Sequence, residues 1–251
     1  MSKKNGFLSK EVEHVAETIR DVGFCVVPNL IPPKRCDEFR RVLMPILKEE
    51  KKQNLHHTGH QRILHLLVKK PIFTELLCHP FVLAVWRRYL CEDIICSTMT
   101  ANALWPRSTE LYWHVDHPYW TMTEPYPTYP LTGQVIWMID DFTLANGATA
   151  GIRGSHRTPK LPRLAENWTD EATILTGSRG SAIFADGAWW HTSRPNSSRR
   201  TRFAVLATYI RSYCVPQENM RRQLEAMKNP SEQVKQLLGG NQYVPTVGFP
   251  Y

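Results

Sequence analysis

The chain has 251 residues and a mass of 29.0 kDa, with 42% hydrophobic and 22% charged residues. These values are ordinary for a protein that buries a core, so they exclude general disorder, and the length suits one large domain. The formal charge is +8, but the basic residues are spread along the chain without a nucleic-acid-binding motif. We therefore expect no nucleic-acid partner, while the excess positive charge favours an anionic substrate.

The sequence lacks the apolar segments that a membrane span or a secretion signal would need. It has no run of about 18 apolar residues, and its start has no apolar stretch like that of a signal peptide. The six cysteines include no Cys-x-x-Cys pair, so we expect reduced thiols rather than a disulfide framework. These features predict a cytoplasmic protein without a membrane partner.

Helical patterns dominate the N-terminal part of the chain, about residues 1–92. Apolar residues recur at helical spacing in Ser9–Val22, where Ser9 is a candidate N-cap. Gly23 then ends the helix, and the apolar run Phe24–Val27 is typical of a short strand.

Prolines mark the next two helices. Pro32–Pro33 opens a second helix that runs to about Met44, because proline is tolerated in the first turn of a helix. Pro45 is expected to end or kink this helix. A third helix is predicted for Pro71–Tyr89, with a break at Pro80.

A group of histidines lies between the second and third helices. His56, His57, His60 and His65 are dense enough for a metal site, yet they share a polar stretch with lysines and a glycine. A solvent-exposed loop is the favoured interpretation, and a lid that covers a bound substrate is the alternative.

Between about residues 93 and 212 the pattern changes to short strands separated by Gly, Pro and Asn. The predicted strands are Ile94–Leu104, Leu111–Val115, Gly133–Asp140, Ala148–Arg153, Gly180–Ala185 and Phe203–Arg211. Many short strands with such turns indicate a sandwich or barrel of the jelly-roll kind. The tail, residues 213–251, is helical in pattern over Gln217–Leu238 and ends in a coil that contains Gly and Pro. No linker divides the chain, so we predict one domain, residues 1–251, with a mixed β core and helices packed at both ends.

Two segments carry the residue types of a metal site. His114 and Asp116 form a His-x-Asp pair at the end of a predicted strand, where residues two apart face the same side. His191, beside the strand predicted for Gly180–Ala185, supplies a third ligand. Two imidazoles and one carboxylate on one face of a metal leave its other positions open, which suits ferrous iron that binds dioxygen and a cosubstrate. Zinc would prefer a closed, or nearly closed, tetrahedral site.

An arginine follows the last of these histidines, at the start of a predicted strand. The planar fork of Arg202 suits the distal carboxylate of a dicarboxylic cosubstrate, and Ser193 is placed to add a hydroxyl donor. Arg199 and Arg200 are competitors, but they are more typical of loop surface.

The motifs together resemble the phytanoyl-CoA dioxygenase family of iron- and 2-oxoglutarate-dependent oxygenases. The similarity begins at Asp21–Pro32, continues through Trp113–Asp116 and Asn146–His156, and closes with His191–Asn196 and Arg202. It implies a double-stranded β-helix, a cupin-like jelly roll with the metal in its mouth. It also implies Fe(II) as cofactor, 2-oxoglutarate and dioxygen as cosubstrates, and release of succinate and carbon dioxide.

Asp116 bears on the type of oxidation. Related halogenases resemble this pattern with a small residue at that position, so its carboxylate favours hydroxylation, oxidative demethylation or dealkylation, or desaturation. The expected substrate is a small organic metabolite of a specialised biosynthetic pathway. A metal-free or zinc-bearing binding protein on the same barrel is the alternative, because a fold does not fix a function.

Other polar and aromatic residues near the motifs are candidates with two interpretations each. The family has polar residues near the positions of Asn102 and Gln134 that suggest contact with the cosubstrate, although hydrogen bonds within the strands would also explain them. Candidates for the wall of a substrate pocket are His117, Trp120, Trp137 and Trp189. Core packing is the alternative for the tryptophans.

Overall fold

The computed structural model describes residues 2–163, 168 and 170–240 of the chain. Its helices are α1 (Ser2–Val22), α2 (Pro33–Glu49), α3 (Lys51–Asn54), α4 (Leu66–Lys69), α5 (Thr74–Leu77), α6 (Pro80–Tyr89), α7 (Met220–Glu225) and α8 (Glu232–Leu237). Its strands are β1 (Phe24–Val27), β2 (His60–Ile63), β3 (Ile94–Leu104), β4 (Thr132–Met138), β5 (Thr149–Gly151), β6 (Thr173–Leu175), β7 (Ala182–Asp186), β8 (His191–Ser193) and β9 (Arg202–Arg211). Short 3-10 helices lie at Pro71–Phe73, Tyr119–Thr121 and Ser155–Arg157.

The first helix begins earlier than predicted. α1 starts at Ser2, so Ser9 lies inside the helix and is not its N-cap. The helix is held by the apolar face that the spacing identified, which consists of the buried residues Val12, Val15, Ala16 and Ile19. Gly23 ends the helix as predicted, and its φ of 94° is one that glycine adopts at little cost.

The second helix runs through Pro45 for another turn instead of ending there. Proline in a helix interior removes one hydrogen bond and costs roughly 3 kcal/mol. However, Leu43, Ile46 and Leu47 are all buried around it, and each buried side chain of this size contributes about 1.5–3 kcal/mol. Packing therefore outweighs the unfavourable proline.

The break predicted at Pro80 is confirmed, because this residue starts α6. The helical pattern of the tail divides into α7 and α8, and residues 241–251 of the predicted coil lie outside the described residues. Within the described ranges, no helix is both long and apolar enough to cross a lipid bilayer.

The strands form two antiparallel sheets. The larger sheet has the order β1-β7-β4-β9-β3-β2, and the smaller has the order β6-β5-β8. The strands predicted at Phe24–Val27 and Ile94–Leu104 are found with those bounds. The other predicted strands are found with shifted ends, except that Leu111–Val115 is irregular. The strands β2, β6 and β8 were not predicted, because three or four residues are too few to show an alternating pattern.

The two faces of the larger sheet have different neighbours. One face packs against the helices in the main core, to which β4 contributes Val135 and Trp137. The opposite face is turned toward the smaller sheet, and Ile136 and Leu206 form a second apolar cluster with Leu175 of β6. Since successive residues of a strand face opposite sides, the residues next to Ile136 and Leu206 on this face enclose a space between the sheets.

Candidate metal centre

His114 and Asp116 lie on the irregular segment between β3 and β4. The strand predicted there, Leu111–Val115, is reduced to one antiparallel bridge, between His114 and His191. Backbone hydrogen bonds join these two residues in both directions at 3.0 and 3.1 Å, and the Asp116 N–H donates to the Gly187 carbonyl at 2.7 Å. Backbone contacts with the segment around His191, rather than strand alternation, therefore position both side chains.

His191 begins β8 after a tight turn. The carboxylate of Asp186, at the end of β7, holds this turn by accepting hydrogen bonds from the Ala188 N–H at 2.6 Å and the Tyr89 hydroxyl at 2.7 Å. The Trp189 ring is stacked on the His191 imidazole, with centroids 4.6 Å apart and an interplanar angle of 11°. These contacts fix the direction of the imidazole.

The three side chains converge on one point. One ligand atom from each of His114, Asp116 and His191 lies within 4.8 Å of the others, and Asp116 Oδ1 is 3.9 Å from His191 Nε2. The Nδ1 atoms of His114 and His191 face the carbonyls of Tyr112 and Trp189 at 3.0 and 3.1 Å. Because a carbonyl only accepts hydrogen bonds, Nδ1 carries the proton in both rings and Nε2 keeps a lone pair for a metal.

Burial sets the charge of these groups. It lowers the pKa of both His114 and His191 to about 4, and the nearby His191 further disfavours charge on His114. Burial raises the pKa of the Asp116 carboxyl, an effect that His114 and Arg62 partly offset. Both imidazoles are therefore neutral at pH 7, which is the state that binds metal, and a divalent cation between them would favour the ionised carboxylate.

Arg202, the first residue of β9, lines the same space. Its side chain is 2% exposed, donates from Nη2 to the Gly147 carbonyl at 2.8 Å, and lies 4.1 Å from the centroid of the Phe142 ring. Its Nε has no hydrogen-bond partner, and burial lowers the pKa of Arg202 to about 9. A buried arginine with an open donor is suited to bind an anion.

A cavity of about 620 Å³ joins the triad to Arg202 between the two sheets. Gln61 of β2 and Ala103 of β3 border it, but residues two apart on a strand supply most of its lining. These residues are His60 and Arg62 of β2, Asn102 and Leu104 of β3, Gln134 and Ile136 of β4, Arg202 and Ala204 of β9, Thr149 of β5, and His191 and Ser193 of β8. The four residues predicted to bind a cosubstrate, Arg202, Ser193, Asn102 and Gln134, thus share one cavity.

Several polar atoms around this cavity are buried without a hydrogen-bond partner. They are Asp116 Oδ2, Arg202 Nε, Asn102 Oδ1, Gln134 Oε1 and His60 Nε2. An unpaired buried polar group costs about 1–3 kcal/mol, so their concentration here indicates a site for polar ligands. The Asp116 oxygen suits a divalent metal, and the open N–H of Arg202 suits an oxygen atom of a ligand.

The predicted aromatic residues of the pocket divide into two groups. His117 and Trp120 line the cavity, and Trp120 is 50% exposed. Contrary to prediction, Trp137 and Trp189 do not line it. Trp137 follows Ile136 on β4 and therefore faces the helices, and Trp189 is buried in the apolar cluster between the sheets.

Sequence patterns missed other residues of the cavity. His56 and His60 line it, and His60 is half-buried in β2, so the interpretation as a solvent loop is wrong for His60. Arg62 and Thr149 also line the cavity without having been predicted. β2 reads His-Gln-Arg-Ile, in which Ile63 alone is apolar, so its sequence carries no alternation that indicates a strand.

Several proteins are similar to this chain in sequence. An uncharacterized protein of Mycobacterium tuberculosis and one of Mycobacterium bovis are each 27% identical over 246 residues, which cover 91% of this chain and 86% of the relative. The dioxygenase af480 of Aspergillus fumigatus is 26% identical over 181 residues, which cover 70% of this chain and 58% of the relative.

Solved structures share the fold. The epimerase SnoN in complex with Fe3+, alpha ketoglutarate and nogalamycin RO has a TM-score of 0.69 at 16% identity, over 81% of this chain and 85% of that chain. A second structure, of the non-heme alpha ketoglutarate dependent epimerase SnoN from nogalamycin biosynthesis, has a TM-score of 0.65 at 15% identity, over 81% and 84%. The antiparallel sheets and flanking helices are thus arranged as in an iron- and 2-oxoglutarate-dependent enzyme.

The strongest assignment comes from a family model. The model of phytanoyl-CoA dioxygenase (PhyH) matches residues 19–204. This range contains all three residues of the triad, the Arg202 side chain and most of both sheets. The chain therefore belongs to the phytanoyl-CoA dioxygenase (PhyH) family.

Proposed function

We propose that this protein is an Fe(II)- and 2-oxoglutarate-dependent oxygenase that oxidises a small organic molecule. The observation that carries the proposal is one cavity that holds the convergent triad and, in its wall, the buried Arg202 with an open donor. Membership of the PhyH family supports it, as does the likeness in fold to SnoN, which was crystallised with iron and alpha ketoglutarate.

His114, Asp116 and His191 would hold the iron. Two imidazole nitrogens and one carboxylate oxygen leave the remaining positions of the metal for a cosubstrate and dioxygen. When bound, the iron supplies oxygen activation coupled to conversion of 2-oxoglutarate to succinate and carbon dioxide. The hydrogen bonds from both Nδ1 atoms to backbone carbonyls keep the imidazoles in the metal-binding tautomer.

Arg202 would bind the distal carboxylate of 2-oxoglutarate through its open Nε and a neighbouring Nη. The contacts with Gly147 and Phe142 hold the guanidinium in place before the ligand arrives, which reduces the entropy lost on binding. Ser193 lies on the same strand as His191 and adds a hydroxyl donor. Asn102 and Gln134 line the same cavity, and their side-chain amide N–H groups would donate to the end of the cosubstrate nearer the metal.

The substrate would occupy the part of the cavity beside His117 and Trp120. Tyr112 lines the same region and is 62% exposed. The exposed Arg62 also lines the cavity and suits an anionic group. The volume of about 620 Å³ lies within the range of about 300–1,000 Å³ for small-molecule sites. The Asp116 carboxylate favours hydroxylation, oxidative dealkylation or desaturation over halogenation.

Epimerisation is a second candidate reaction. It is favoured by the likeness in fold to SnoN, which is an epimerase. The same cavity residues would bind the metal and cosubstrate, and the product would be a stereoisomer of the substrate rather than an oxygenated molecule.

We also propose that the chain forms a single domain and that its two sheets are the halves of a double-stranded β-helix. The antiparallel pairing and the strand orders support this arrangement, because the triad then lies between the two sheets, at the site that the resemblance implies.

The decisive experiment adds ferrous iron and 2-oxoglutarate to the protein without oxygen. Chelation of iron by the 2-oxo acid produces a visible charge-transfer band, which we expect in the wild type and not in His114→Ala. A wild type without this band would refute the proposal, and binding of zinc but not iron would favour the zinc-bearing alternative. Candidate substrates are then screened by succinate release. Incorporation of labelled oxygen separates oxygenation from epimerisation, desaturation being recognised by loss of two hydrogens.

A further inference from the structure

His60 has an unused hydrogen-bonding atom in the wall of the cavity. Its Nδ1 faces Thr58 Oγ1 at 2.9 Å, and its Nε2 is buried without a partner. The strand register places His60 opposite Leu104, and Leu104 opposite Arg202. His60 and Arg202 therefore lie at the same level and on the same face of the sheet, with their backbones about 10 Å apart.

The contacts of Thr58 favour one tautomer of His60. His56 Nδ1 lies 2.7 Å from the Thr58 hydroxyl and 3.4 Å from the Thr58 N–H, which suits this nitrogen as an acceptor. When the Thr58 hydroxyl donates to His56, Thr58 Oγ1 accepts from His60 Nδ1. In neutral His60 the proton is then on Nδ1, and Nε2 has none to donate to an anion.

We propose that His60 takes up a proton when 2-oxoglutarate binds and then donates a hydrogen bond from Nε2 to the distal carboxylate that Arg202 holds. The inference rests on the proposed function and adds a second cation to the same subsite. The proton comes from solvent, and no covalent bond between heavy atoms changes.

The surroundings of His60 favour this uptake only when an anion is present. Burial, followed by the charge of Arg202, lowers the pKa of His60 in the free protein to about 4. A carboxylate between the two residues would neutralise Arg202 and place an opposite charge beside the imidazole, and both effects raise the pKa. Proton uptake is therefore coupled to cosubstrate binding.

Other charged groups do not replace the ligand in this role. The titratable or charged residues that line the cavity with His60 are His56, Arg62, His114, Asp116, His117, His191 and Arg202. The helices α2 and α3 pack on the opposite face, where Gln61 donates to the Leu47 carbonyl. Among the described residues that line the cavity, Asp116 is the only acid, and the metal would occupy it. An anion beside His60 must therefore come from the ligand.

The test measures proton uptake by calorimetry. Anaerobic, Fe(II)-loaded protein is titrated with 2-oxoglutarate at pH 6 to 8 in buffers of different ionisation enthalpy. We expect uptake of more than about half a proton per ligand at pH 6 in the wild type, with a Kd that rises by up to about tenfold per pH unit. His60→Gln retains an amide donor that does not titrate, so it should bind 2-oxoglutarate with no uptake.

Two controls isolate the subsite. 2-Oxobutyrate chelates a metal through the same 2-oxo acid group but lacks the distal carboxylate, so its binding to the wild type should take up no proton. His57→Gln changes an exposed histidine that does not line the cavity, and its uptake should match that of the wild type.

The outcomes separate this inference from the proposed function. If the wild type binds 2-oxoglutarate without proton uptake, or if His60→Gln takes up as much as the wild type, the inference is overturned and the proposed function stands. If the wild type binds no 2-oxoglutarate at any pH, both are overturned. Should His60→Gln fail to fold, as judged by circular dichroism, the comparison of 2-oxoglutarate with 2-oxobutyrate in the wild type decides.

Discussion

Arg202→Met removes the buried cation on which the proposed cosubstrate site depends. Methionine keeps an unbranched side chain over Phe142, but it loses the hydrogen bond to the Gly147 carbonyl and the open Nε donor. Removing one partner of a buried, hydrogen-bonded charge pair costs about 2–5 kcal/mol. We therefore expect the Kd for 2-oxoglutarate to rise between about thirty-fold and several-thousand-fold.

The same substitution should affect the stability of the ligand-free protein much less. The lowered pKa of Arg202 means that the folded protein holds this cation less readily than water does. At neutral pH that difference disfavours the folded state, and it disappears when the charge is removed. The expected combination is a large loss of cosubstrate affinity with an unfolding midpoint close to that of the wild type.

Both quantities are measurable on one sample. Anaerobic titration of the iron-loaded protein, followed by visible absorbance, gives the Kd, and urea unfolding gives the stability. Arg199→Met is the matched control, because its side chain is exposed in the preceding loop, and it should bind like the wild type. If Arg202→Met binds 2-oxoglutarate within about threefold of the wild type, a difference of well under 1 kcal/mol, the role assigned to Arg202 is refuted.

Three further substitutions test separate parts of the site. Gly151→Ala would place a Cβ 2.1 Å from the Trp189 ring, so it should lower the free energy of unfolding by about 1–3 kcal/mol. Because the Trp189 ring is stacked on His191, the substitution should also weaken iron binding. An unchanged affinity for iron would contradict this second effect. Asp116→Asn keeps the shape of the side chain and removes its charge. The affinity for ferrous iron in an anaerobic titration should fall at least about tenfold, because loss of a residue that merely hydrogen-bonds a metal ligand already costs that much. An affinity equal to that of the wild type would exclude Asp116 as a ligand. The pKa of His60 is lowered from 6.5 to about 4, so the folded wild type binds fewer protons than the unfolded chain between these pH values. The free energy of unfolding of the wild type should therefore fall by roughly 2–3 kcal/mol relative to that of His60→Gln as the pH drops from 6.5 to 4. Urea midpoints measure this difference, and parallel pH profiles for the two proteins would contradict it.

The convergence of the triad could be predicted because several weak signals occur together. A His-x-Asp pair such as His114 and Asp116 is weak evidence alone, and so is an arginine at the edge of a strand, but His191 and Arg202 follow in the order and spacing that a metal and cosubstrate site needs. Strand alternation was expected to bring His114 and Asp116 together. Instead, the two residues lie on an irregular segment that backbone hydrogen bonds to His191 and Gly187 hold in place. Residue types identified the site, and tertiary contacts supplied its geometry.

The sequence did not show which face of the sheet the aromatic residues occupy. Trp137 and Gln134 are three positions apart on β4, so they face opposite sides, and only Gln134 lines the cavity. All residues of β4 are buried, so hydrophobicity does not distinguish the face that packs on helices from the face that lines the cavity. Register within the sheet decides it, and register is set by partner strands distant in sequence.

The short strand β2 shows why part of the site was missed. Its polar residues His60 and Arg62 would be typical of solvent if the strand lay alone, but pairing with β3 turns both toward the cavity. There the buried Nε2 of His60 joins unpaired atoms of Asn102, Gln134 and Arg202. Unpaired polar groups are unfavourable in the free protein and become favourable only when a ligand of matching polarity binds. A ligand at 100 times its Kd stabilises the folded state by about 2.7 kcal/mol. Binding of iron and 2-oxoglutarate would therefore raise the free energy of unfolding and offset part of the cost of these unpaired polar groups.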